Sequence, residues 1–323
     1  MMIGTLLVSF LTFVQLNCEN VFDCRHDEGK NDYEWLSDAG RHWNYKKYWR
    51  KLNNLSKEII SCGGEGAEWS LPDFVALCEI ENDSVMVDLT RKSLLRKAKY
   101  DYVMTSSPDQ RGIDVALMYS PYSFALINHH TLRVQPVGNR HPTRDILYVS
   151  GRLVNGDTLH VYVVHAPSRS GGERASRPYR LKVAERLCQS IDSLRQLSAN
   201  PHIIVSGDFN DYSGDSAIVM LSHHALIDVS DGVEGTHGAK GTYKYKGLWG
   251  SLDHIFVSAG MGERLMDCWI HDLPFLLEDD EKYGGVQPRR TYVGFRYNDG
   301  YSDHLPLVAR FRLQNISTET GNE

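Results

Sequence analysis

A short β-branched run followed by Gly-Asp-Phe-Asn, at residues 203–210, constrains the fold more than any other stretch of the chain. The run Ile-Ile-Val-Ser has the length and composition of a buried strand. Side chains two residues apart in extended backbone share one face, which predicts that Asp208 lies beside Asn210. A carboxylate and an amide together suit a hard cation or a phosphate. Because Gly-Asp and Asn are also typical of ordinary turns, this motif indicates a functional site only if the rest of the chain supplies partner residues.

Composition narrows the class of protein. The 323 residues are 41% hydrophobic and 24% charged, which is typical of a globular protein with a sizeable core. The net charge of −6 argues against a surface broadly covered in basic patches for nucleic acid. The six cysteines show none of the CxxC or Cys/His spacings typical of zinc sites, and they leave the redox compartment open.

Strand-like and helix-like segments alternate without a linker or a repeat, which predicts one α/β (α+β) domain over residues 12–314 and a polar tail at 315–323. Residues 1–11 are interpreted either as a short apolar leader or as the start of the first strand, since no basic residue precedes them. No other stretch is long and apolar enough to span a membrane. We expect a monomer, and the sequence leaves a cytoplasmic or an exported location open.

Two helices are predicted from the spacing of apolar residues and from residues that favour the start or end of a helix. Apolar residues recur at helical spacing over residues 45–60, and Lys51 is assigned, with the neighbouring basic residues, to a solvated face of that helix. A longer helix is predicted to begin at Pro178, because proline is favourable at the first helical position. A Gly-rich loop at residues 168–174 precedes it.

Polar residues stand at the ends of the predicted strands. Those that follow a strand are Asn17 with Glu19, Glu79, His165, and Asp208 with Asn210, whereas Asp253 and the pair Asp303 and His304 precede one. In a mixed sheet, antiparallel neighbours place the start of one strand beside the end of another. We therefore expect these groups to meet at one rim of a pair of sheets.

Such a cluster of carboxylates needs a cation, because like charges at close range raise one another's pKa values. The donors are oxygens and imidazoles without thiolates, which favours Mg²⁺ or Mn²⁺ over zinc. A divalent cation with carboxylates and histidines is suited to the hydrolysis of a phosphate ester, in which one of these groups activates water.

The ordered set of motifs resembles the endonuclease/exonuclease/phosphatase family, the DNase I-like superfamily. The most specific pieces are Gly-Asp-Phe-Asn at residues 207–210 and Ser-Asp-His-Leu-Pro-Leu at residues 302–307. The match extends from the first predicted strand to the last. The resemblance implies a four-layer αββα sandwich, in which two mixed β-sheets pack face to face and are flanked by helices.

The resemblance also implies a metal site for Mg²⁺ (or Mn²⁺). Glu79 resembles the main metal-binding carboxylate of the family, with Asn17 and Glu19 beside it. Many members have Asp or another acidic residue where this chain has Glu19. Asp303 matches a position close to the metal or to the attacking water.

The remaining matched positions carry the catalytic roles that the resemblance implies. Asp208 is expected to orient or deprotonate the attacking water, and Asn210 to contact the scissile phosphate. His304 is expected to bind a phosphate oxygen or activate water, with Asp253 orienting its ring. His165 is expected to stabilise the phosphate or protonate the leaving group.

Three further residues are candidates for contacts with the substrate phosphate. Arg169 and Arg174 lie in the Gly-rich loop after His165, where arginines grip phosphate oxygens or simply form a solvated helix face. Asp114 is a candidate either for this phosphate site or as a hydrogen-bond partner of His165.

The leading hypothesis for function is a divalent-metal-dependent hydrolase of phosphate esters, of the phosphodiesterase or nuclease-like kind. A phosphate-ester substrate is then the expected partner, with nucleic acid among the options. One alternative is a lipid or inositol phosphate hydrolase. Another, from a different class, is a catalytically inactive binding module with the same fold, whose biological activity would survive the substitution Glu79→Ala. Candidates for the walls of a substrate site are Tyr243, Tyr245 and Trp249 in the loop at 241–250, and the stretch from Arg290 to Tyr301.

Overall fold

The computed structural model of the chain describes residues 9–64, 69–138 and 141–313. The first strand begins at Ser9, so residues 9–11 of the predicted leader-or-strand segment belong to that strand. Residues 1–8 and the predicted tail at 315–323 lie outside the described residues.

The strands of the described residues are numbered in chain order. They are β1 (Ser9–Val21), β2 (Phe74–Ile80), β3 (Asp101–Met104), β4 (Asp114–Tyr119), β5 (Phe124–Leu132), β6 (Ile146–Leu153), β7 (Thr158–His165), β8 (His202–Asp208), β9 (Ile227–Asp228), β10 (Tyr243–Tyr245), β11 (Leu248–Gly250), β12 (Asp253–Val257), β13 (Leu265–Ile270), β14 (Leu277–Asp279), β15 (Val286–Pro288), β16 (Tyr292–Val293), β17 (Arg296–Tyr297) and β18 (Leu307–Leu313).

The helices are numbered in the same way. They are α1 (Tyr45–Ser61), α2 (Asp83–Val87), α3 (Glu173–Leu197), α4 (Ser216–His223) and α5 (Ala259–Gly262), with 3₁₀ turns at Tyr33–Trp35, Leu94–Lys97 and Pro274–Leu276 and a π-helical turn at Asp88–Lys92. Across the three described ranges, no helix combines the length and the apolar character needed to cross a bilayer.

Two six-stranded sheets form the body of the molecule. The first has the order β13-β18-β1-β2-β4-β3 and the second the order β5-β6-β7-β8-β12-β9. Both are mixed, because β1 pairs with β2 and β7 with β8 in parallel, while the other pairs are antiparallel. The strands β10 and β11 form a separate antiparallel hairpin.

Alternation along the strands separates an inner apolar layer from two outer ones. Phe13 of β1 and Val163 of β7 belong to the cluster between the two sheets. Their neighbour Val14 packs with α1 on the outside of the first sheet, and Val164 packs with α3 and α4 on the outside of the second. The predicted four-layer αββα sandwich is thus confirmed.

Helix α1 begins after Asn44, whose side chain accepts hydrogen bonds from the amides of Lys46 and Lys47 and so caps the helix. Its apolar stripe is buried as predicted, but Lys51 is buried as well. The prediction of a solvated basic face is therefore wrong for Lys51, because a loop from the far end of the chain supplies polar partners for its ammonium group.

Helix α3 begins at Glu173, so the prediction that it starts at Pro178 is wrong. The residue before the helix is Gly172, whose φ of 106° is readily adopted only by glycine, and this turn sets the start of the helix. Pro178 lies inside the helix, where its missing N–H removes one intrahelical hydrogen bond.

Candidate active site

The inner layer of the sandwich changes from apolar to polar towards one end of the sheets. On β1, Phe13 is followed on the same face by Gln15 and Asn17. On β8, Ile204 is followed on the same face by Ser206 and Asp208. Hydrogen bonds join the two strands across the layer, from Ser206 Oγ to Gln15 Oε1 (3.1 Å) and from Asn17 Nδ2 to Asp208 Oδ2 (3.0 Å).

Strand β12 brings its first residue to the same end. It runs antiparallel to β8, and Asp253 is directly paired with Asp208. Asp253 shares the inner face with Ile255 of the inter-sheet cluster. His254 falls on the outer face, where its ring contacts Asp228 Oδ2 (2.8 Å) and the carbonyl oxygen of Asp211 (2.9 Å). Alternation therefore separates two adjacent polar residues, and only Asp253 faces the site.

Asp253 holds the ring of His304. His304 Nδ1 lies 2.6 Å from Asp253 Oδ2, and the ring nitrogen is the donor because a carboxylate only accepts. Thr242 Oγ1 also donates to Asp253 Oδ2 (2.7 Å), and Gln15 Nε2 lies 3.4 Å from Asp253 Oδ1. Burial by itself lowers the pKa of His304, but the charge of Asp253 and its hydrogen bond, with Asp208 nearby, raise that pKa to about 10.

Asp208 lies between the two histidines. Its Oδ2 is 3.7 Å from His165 Nε2 and 4.0 Å from His304 Nε2. Burial raises the pKa of Asp208 to about 7, against the opposing charge of His304 and hydrogen bonds to the carboxylate. Burial and the charges of Arg144 and Arg111 lower the pKa of His165 well below its usual value. At neutral pH the site thus combines a cationic His304, a neutral His165 and a carboxyl group close to its pKa.

Glu79 reaches the cavity through an unusual backbone conformation. Alternation from Cys78, which faces inwards, would send Glu79 to the outer face. Instead, Glu79 has a φ of 66°, and the pairing of β2 with β4 shifts by one register at this point. Asn20 and Asn210, at the same rim, also have positive φ values of 54° and 52°. Such conformations cost energy in non-glycine residues and concentrate at functional sites.

Asn210 is oriented by a turn rather than by extended backbone. Its φ is positive, its amide N–H donates to Asp208 Oδ1 (2.9 Å), and its Nδ2 donates to the carbonyl oxygen of Ala166 (3.0 Å). The preceding Gly207 is required for close strand packing, since a Cβ there would lie 1.9 Å from the carbonyl oxygen of Val164. Asp208 and Asn210 do meet at one cavity, but the turn brings them there.

These side chains line one cavity of about 540 Å³, within the range of small-molecule sites. Its lining includes seven residues that the sequence marked as catalytic or metal-binding: Asn17, Glu79, His165, Asp208, Asn210, Asp303 and His304. Asp253 supports this set from behind the ring of His304.

Glu19 differs from its predicted place beside the metal. Its Oε2 accepts a hydrogen bond from the amide of Thr291 (2.5 Å) and lies 3.8 Å from Lys51 Nζ, while its Oε1 is 3.6 Å from Arg290 Nε. The register shift after Asn17 accompanies this change of direction. Glu19 therefore anchors the loop after Arg289 instead of facing the cavity.

Asp114 also differs from its predicted place. Its Oδ1 accepts hydrogen bonds from Thr105 Oγ1 (2.5 Å) and from the amide (2.9 Å) and hydroxyl (2.6 Å) of Ser107. His165 Nδ1 is buried without a hydrogen-bond partner among the described residues, so Asp114 is not its partner. Asp114 is thus held at the start of β4 and is not part of the cavity lining.

The two candidate arginines take different places. Arg169 lines the cavity, but its Nη1 is paired with Asp215 Oδ2 (2.7 Å) and lies 3.3 Å from Asp211 Oδ1. Arg174 is exposed on α3 and is not part of the cavity lining. Arg180, on the same helix, is buried and forms an ion pair with Asp211. Neither candidate arginine therefore presents an unpaired guanidinium group to the cavity: Arg169 is paired with aspartates, and Arg174 is not part of the lining.

Two further arginines stand at the site: Arg111 was missed from the sequence, and Arg290 was predicted only as part of a substrate wall. Arg111 lines the cavity, where its Nη2 donates to Asn20 Oδ1 (2.5 Å) and lies 3.5 Å from Glu79 Oε1. Arg290 Nη2 donates to Asp303 Oδ2 (2.5 Å). Arg111 stands three residues before Asp114, so the only available signal was a basic residue in a turn between two predicted strands.

The cavity offers a small set of oxygen ligands to a divalent cation. Over the described ranges, no three His, Cys, Asp or Glu side chains are grouped as a metal-binding cage. Mg²⁺ at enzyme sites commonly takes one or two carboxylates and completes its shell with water and substrate phosphate. Glu79 fits this requirement, because its Oε2 is held by the amide of Asn20 (2.8 Å) while its Oε1 has no close donor among the described residues, with Arg111 Nη2 at 3.5 Å and His165 Nε2 at 3.8 Å. Asn17 also lines the cavity, and its Oδ1, which accepts one hydrogen bond from the amide of Glu19 (3.0 Å), has a second lone pair for a cation, whereas Asp303 is engaged by Arg290.

The fold and the site together define a DNase I-like α/β sandwich with buried carboxylates, amides and histidines at one end of its paired sheets. Residues 12–312 match the model of the endonuclease/exonuclease/phosphatase family, and the chain belongs to that family. The predicted resemblance is confirmed. Membership defines it as a phosphoester hydrolase or a nuclease-like enzyme.

Individual relatives are distant. The chain is 22% identical over 283 residues to Protein angel of Drosophila melanogaster, covering 82% of this chain and 72% of that protein. A mannosyl-6-phosphatase of Bacteroides thetaiotaomicron has a TM-score of 0.61 at 14% identity, over 94% of this chain and 99% of its own. The catalytic domain of human Nocturnin, with a bound sulfate anion, has a TM-score of 0.56 at 18% identity, and the match covers 94% of this chain and 97% of that domain. At these identities the two structures support the fold alone.

Proposed function

We propose that the chain is a Mg²⁺- or Mn²⁺-dependent hydrolase of phosphate esters that uses an activated water molecule. The observation that carries this proposal is the position of Asp208, a buried carboxyl group between His165, His304 and Asn17. Its raised pKa suits a general base at neutral pH, because such a group can both hold and release a proton there.

The two histidines have different roles in this proposal. His304, kept cationic by Asp253, donates a hydrogen bond to a non-bridging phosphate oxygen and neutralises part of its charge. His165 is neutral and approaches both Asp208 and Glu79 with its Nε2, so it orients these carboxylates. The side chain of Asn210 is fixed on the carbonyl oxygen of Ala166, which holds it at the phosphate position.

Glu79 and Asn17 are the residues proposed to hold the divalent cation. When bound there, the cation neutralises phosphate charge and stabilises the leaving oxygen. Arg111, whose Nη2 donates to Asn20 and lies 3.5 Å from Glu79 Oε1, has 45% of its side chain exposed, so its other guanidinium N–H groups contact a substrate oxygen in this proposal. Membership of the endonuclease/exonuclease/phosphatase family is consistent with a phosphoester substrate.

The proposal is tested by hydrolysis of p-nitrophenyl phosphate and bis-p-nitrophenyl phosphate, which separates monoesterase from diesterase activity. We expect activity with Mg²⁺ or Mn²⁺, its loss in EDTA, and a loss of about 10²-fold or more in kcat for Asp208→Asn and Glu79→Ala. Glu263→Ala, a change of an exposed carboxylate on the surface, is the matched control. Activity that survives both EDTA and the two substitutions would refute the proposal.

A further inference from the structure

Two tyrosines with large exposed surfaces border the cavity. Tyr212 is 42% exposed and Tyr245 is 57% exposed, yet both line the same cavity as the phosphate-site residues. They come from different parts of the chain, one from the turn after β8 and the other from the β10–β11 hairpin. Leu252, which is buried, also lines the cavity and adds apolar surface to it.

The hairpin directs Tyr245 outwards from the catalytic histidine. Tyr243 and Tyr245 are alternate residues of β10 and share one face. The ring of Tyr243 packs on His304, with centroids 4.8 Å apart. Lys244 takes the other face and pairs with Asp280 (2.8 Å). Tyr245 therefore lies on the same face of β10 as Tyr243 and lines the cavity, with Lys246 Nζ 5.2 Å from its ring centroid.

Tyr212 is held against the same hairpin. A Cβ on Gly250 would lie 2.4 Å from Tyr212 Cε1 and 3.2 Å from Cζ, so the ring edge occupies the space that a side chain would fill. The guanidinium of Arg169 lies 4.7 Å from the ring centroid, and Asp215 fixes both Arg169 and the Tyr212 amide. Gly250 is paired with Tyr243. Directly paired residues of an antiparallel hairpin share one face, so Tyr212 lies on the same face of the hairpin as Tyr243.

The cavity also has a charged side. Glu79, Arg111 and Asn20 line it together with the two catalytic histidines. A ligand that fills both sides must combine an anionic group with a flat or apolar ring, because an acyclic polyol would leave the aromatic surface wet. A volume of about 540 Å³ matches a small phosphorylated molecule.

We propose that Tyr212 and Tyr245 determine specificity by binding a ring, of a nucleoside or of a sugar, carried by the alcohol part of the phosphate ester. This inference rests on the proposed function, since it places the phosphate at His304 and Asn210. A base presents a π face to the tyrosines, whereas a sugar presents C–H groups, and both pack flat on an aromatic ring.

The test compares ring-bearing with acyclic esters in both ester classes. The monoesters are a nucleoside 5′-monophosphate, a hexose 6-phosphate and glycerol 3-phosphate, and the diesters are a dinucleotide and glycerophosphocholine. We expect a kcat/KM about tenfold or more higher for the ring-bearing ester, lost mainly through KM in Tyr245→Ala and Tyr212→Ala and retained in the Phe variants. Tyr122→Ala is the control, because Tyr122 is 78% exposed and is not part of the cavity lining.

Calorimetric binding of the same monoesters gives a readout that does not require turnover. The inference is supported if nucleoside or hexose phosphate binds more tightly than glycerol 3-phosphate and if the Ala variants weaken that binding about tenfold. This holds even if no ester is cleaved and the proposed function fails. The inference is overturned if ring-bearing and acyclic esters are hydrolysed and bound equally well, or if the Ala variants match the wild type. Either result leaves the proposal of hydrolysis intact. The preferred monoester identifies the ring as a base or a sugar.

Discussion

At the scale of single residues, the pair Asp253 and His304 is the most consequential contact of the site. Burial would favour a neutral imidazole, but the 2.6 Å contact with Asp253 reverses this preference. The pKa of His304 is about 10 in the folded chain, against 6.5 as its ordinary value. Because the pKa of His304 is raised in the folded chain, its protonated ring contributes its full share to the free energy of unfolding below pH 6.5. This contribution is lost as the pH rises through about 10.

The substitution Asp253→Asn should therefore flatten the pH dependence of the free energy of unfolding between pH 6.5 and pH 10. It should also lower kcat by about 10²-fold, because the imidazolium that we propose to contact the phosphate loses its partner. Denaturant unfolding in EDTA at several pH values measures the first effect without a contribution from bound metal. Asp231→Asn, at an exposed position, is the control. A variant with the wild-type pH profile would show that Asp253 does not set the charge of His304.

At the scale of elements, helix α1 holds the loop that carries Asp303. Lys51 Nζ donates to Thr291 Oγ1 (2.7 Å) and to the carbonyl oxygen of Tyr301, and Asn54 Nδ2 donates to the carbonyl oxygen of Gly300 (2.9 Å). A polar helix face is thus buried against a loop about 240 residues later in the chain. The loop ends at Asp303 and His304, so α1 fixes the position of two site residues without touching substrate.

The substitution Lys51→Met should lower the free energy of unfolding by about 3 kcal/mol, because it leaves Glu19 and two buried oxygens without their cation. Chemical denaturation measures this loss. Lys57→Met, on the exposed face of the same helix, is the matched control and should change stability by less than about 0.5 kcal/mol. An equal effect of the two substitutions would contradict the structural role of Lys51.

At the scale of the whole molecule, the two ends of the described chain meet in one sheet. Strand β1 lies between β2 and β18, and β18 lies between β1 and β13. The first sheet therefore cannot be completed until the last strand is present. The same arrangement brings Asn17, near the start of the chain, to within a hydrogen bond of Ser302, whose hydroxyl donates to the carbonyl oxygen of Asn17 (2.6 Å).

A chain that ends at residue 306 should fail to fold cooperatively, because it lacks β18 and leaves the buried faces and edges of β1 and β13 uncovered. Near-ultraviolet circular dichroism and thermal unfolding measure this loss. A chain that ends at residue 313 retains β18 and serves as the control. A cooperative transition in the shorter chain would show that the sheet does not depend on its last strand.

Much of the architecture followed from local sequence patterns. Short β-branched runs such as the one in β8 predicted buried strands, and polar residues at strand ends predicted that distant groups such as Glu79 and Asp208 share one rim. The first signal depends only on local composition, and the second on the meeting of strand ends in a mixed sheet. The family resemblance, carried by residues 207–210 and 302–307, is confirmed by the family match.

The tertiary structure decided the direction of individual side chains where the period breaks. The register shift after Asn17 turns Glu19 to Arg290, and the positive φ of Glu79 turns its carboxylate to the cavity. Lys51 looks solvated in the sequence because its helix period places it among basic residues, yet a loop far along the chain buries it. Local periodicity determines which face a residue occupies. The partner on that face is determined by strand register and loop packing, which depend on the whole chain.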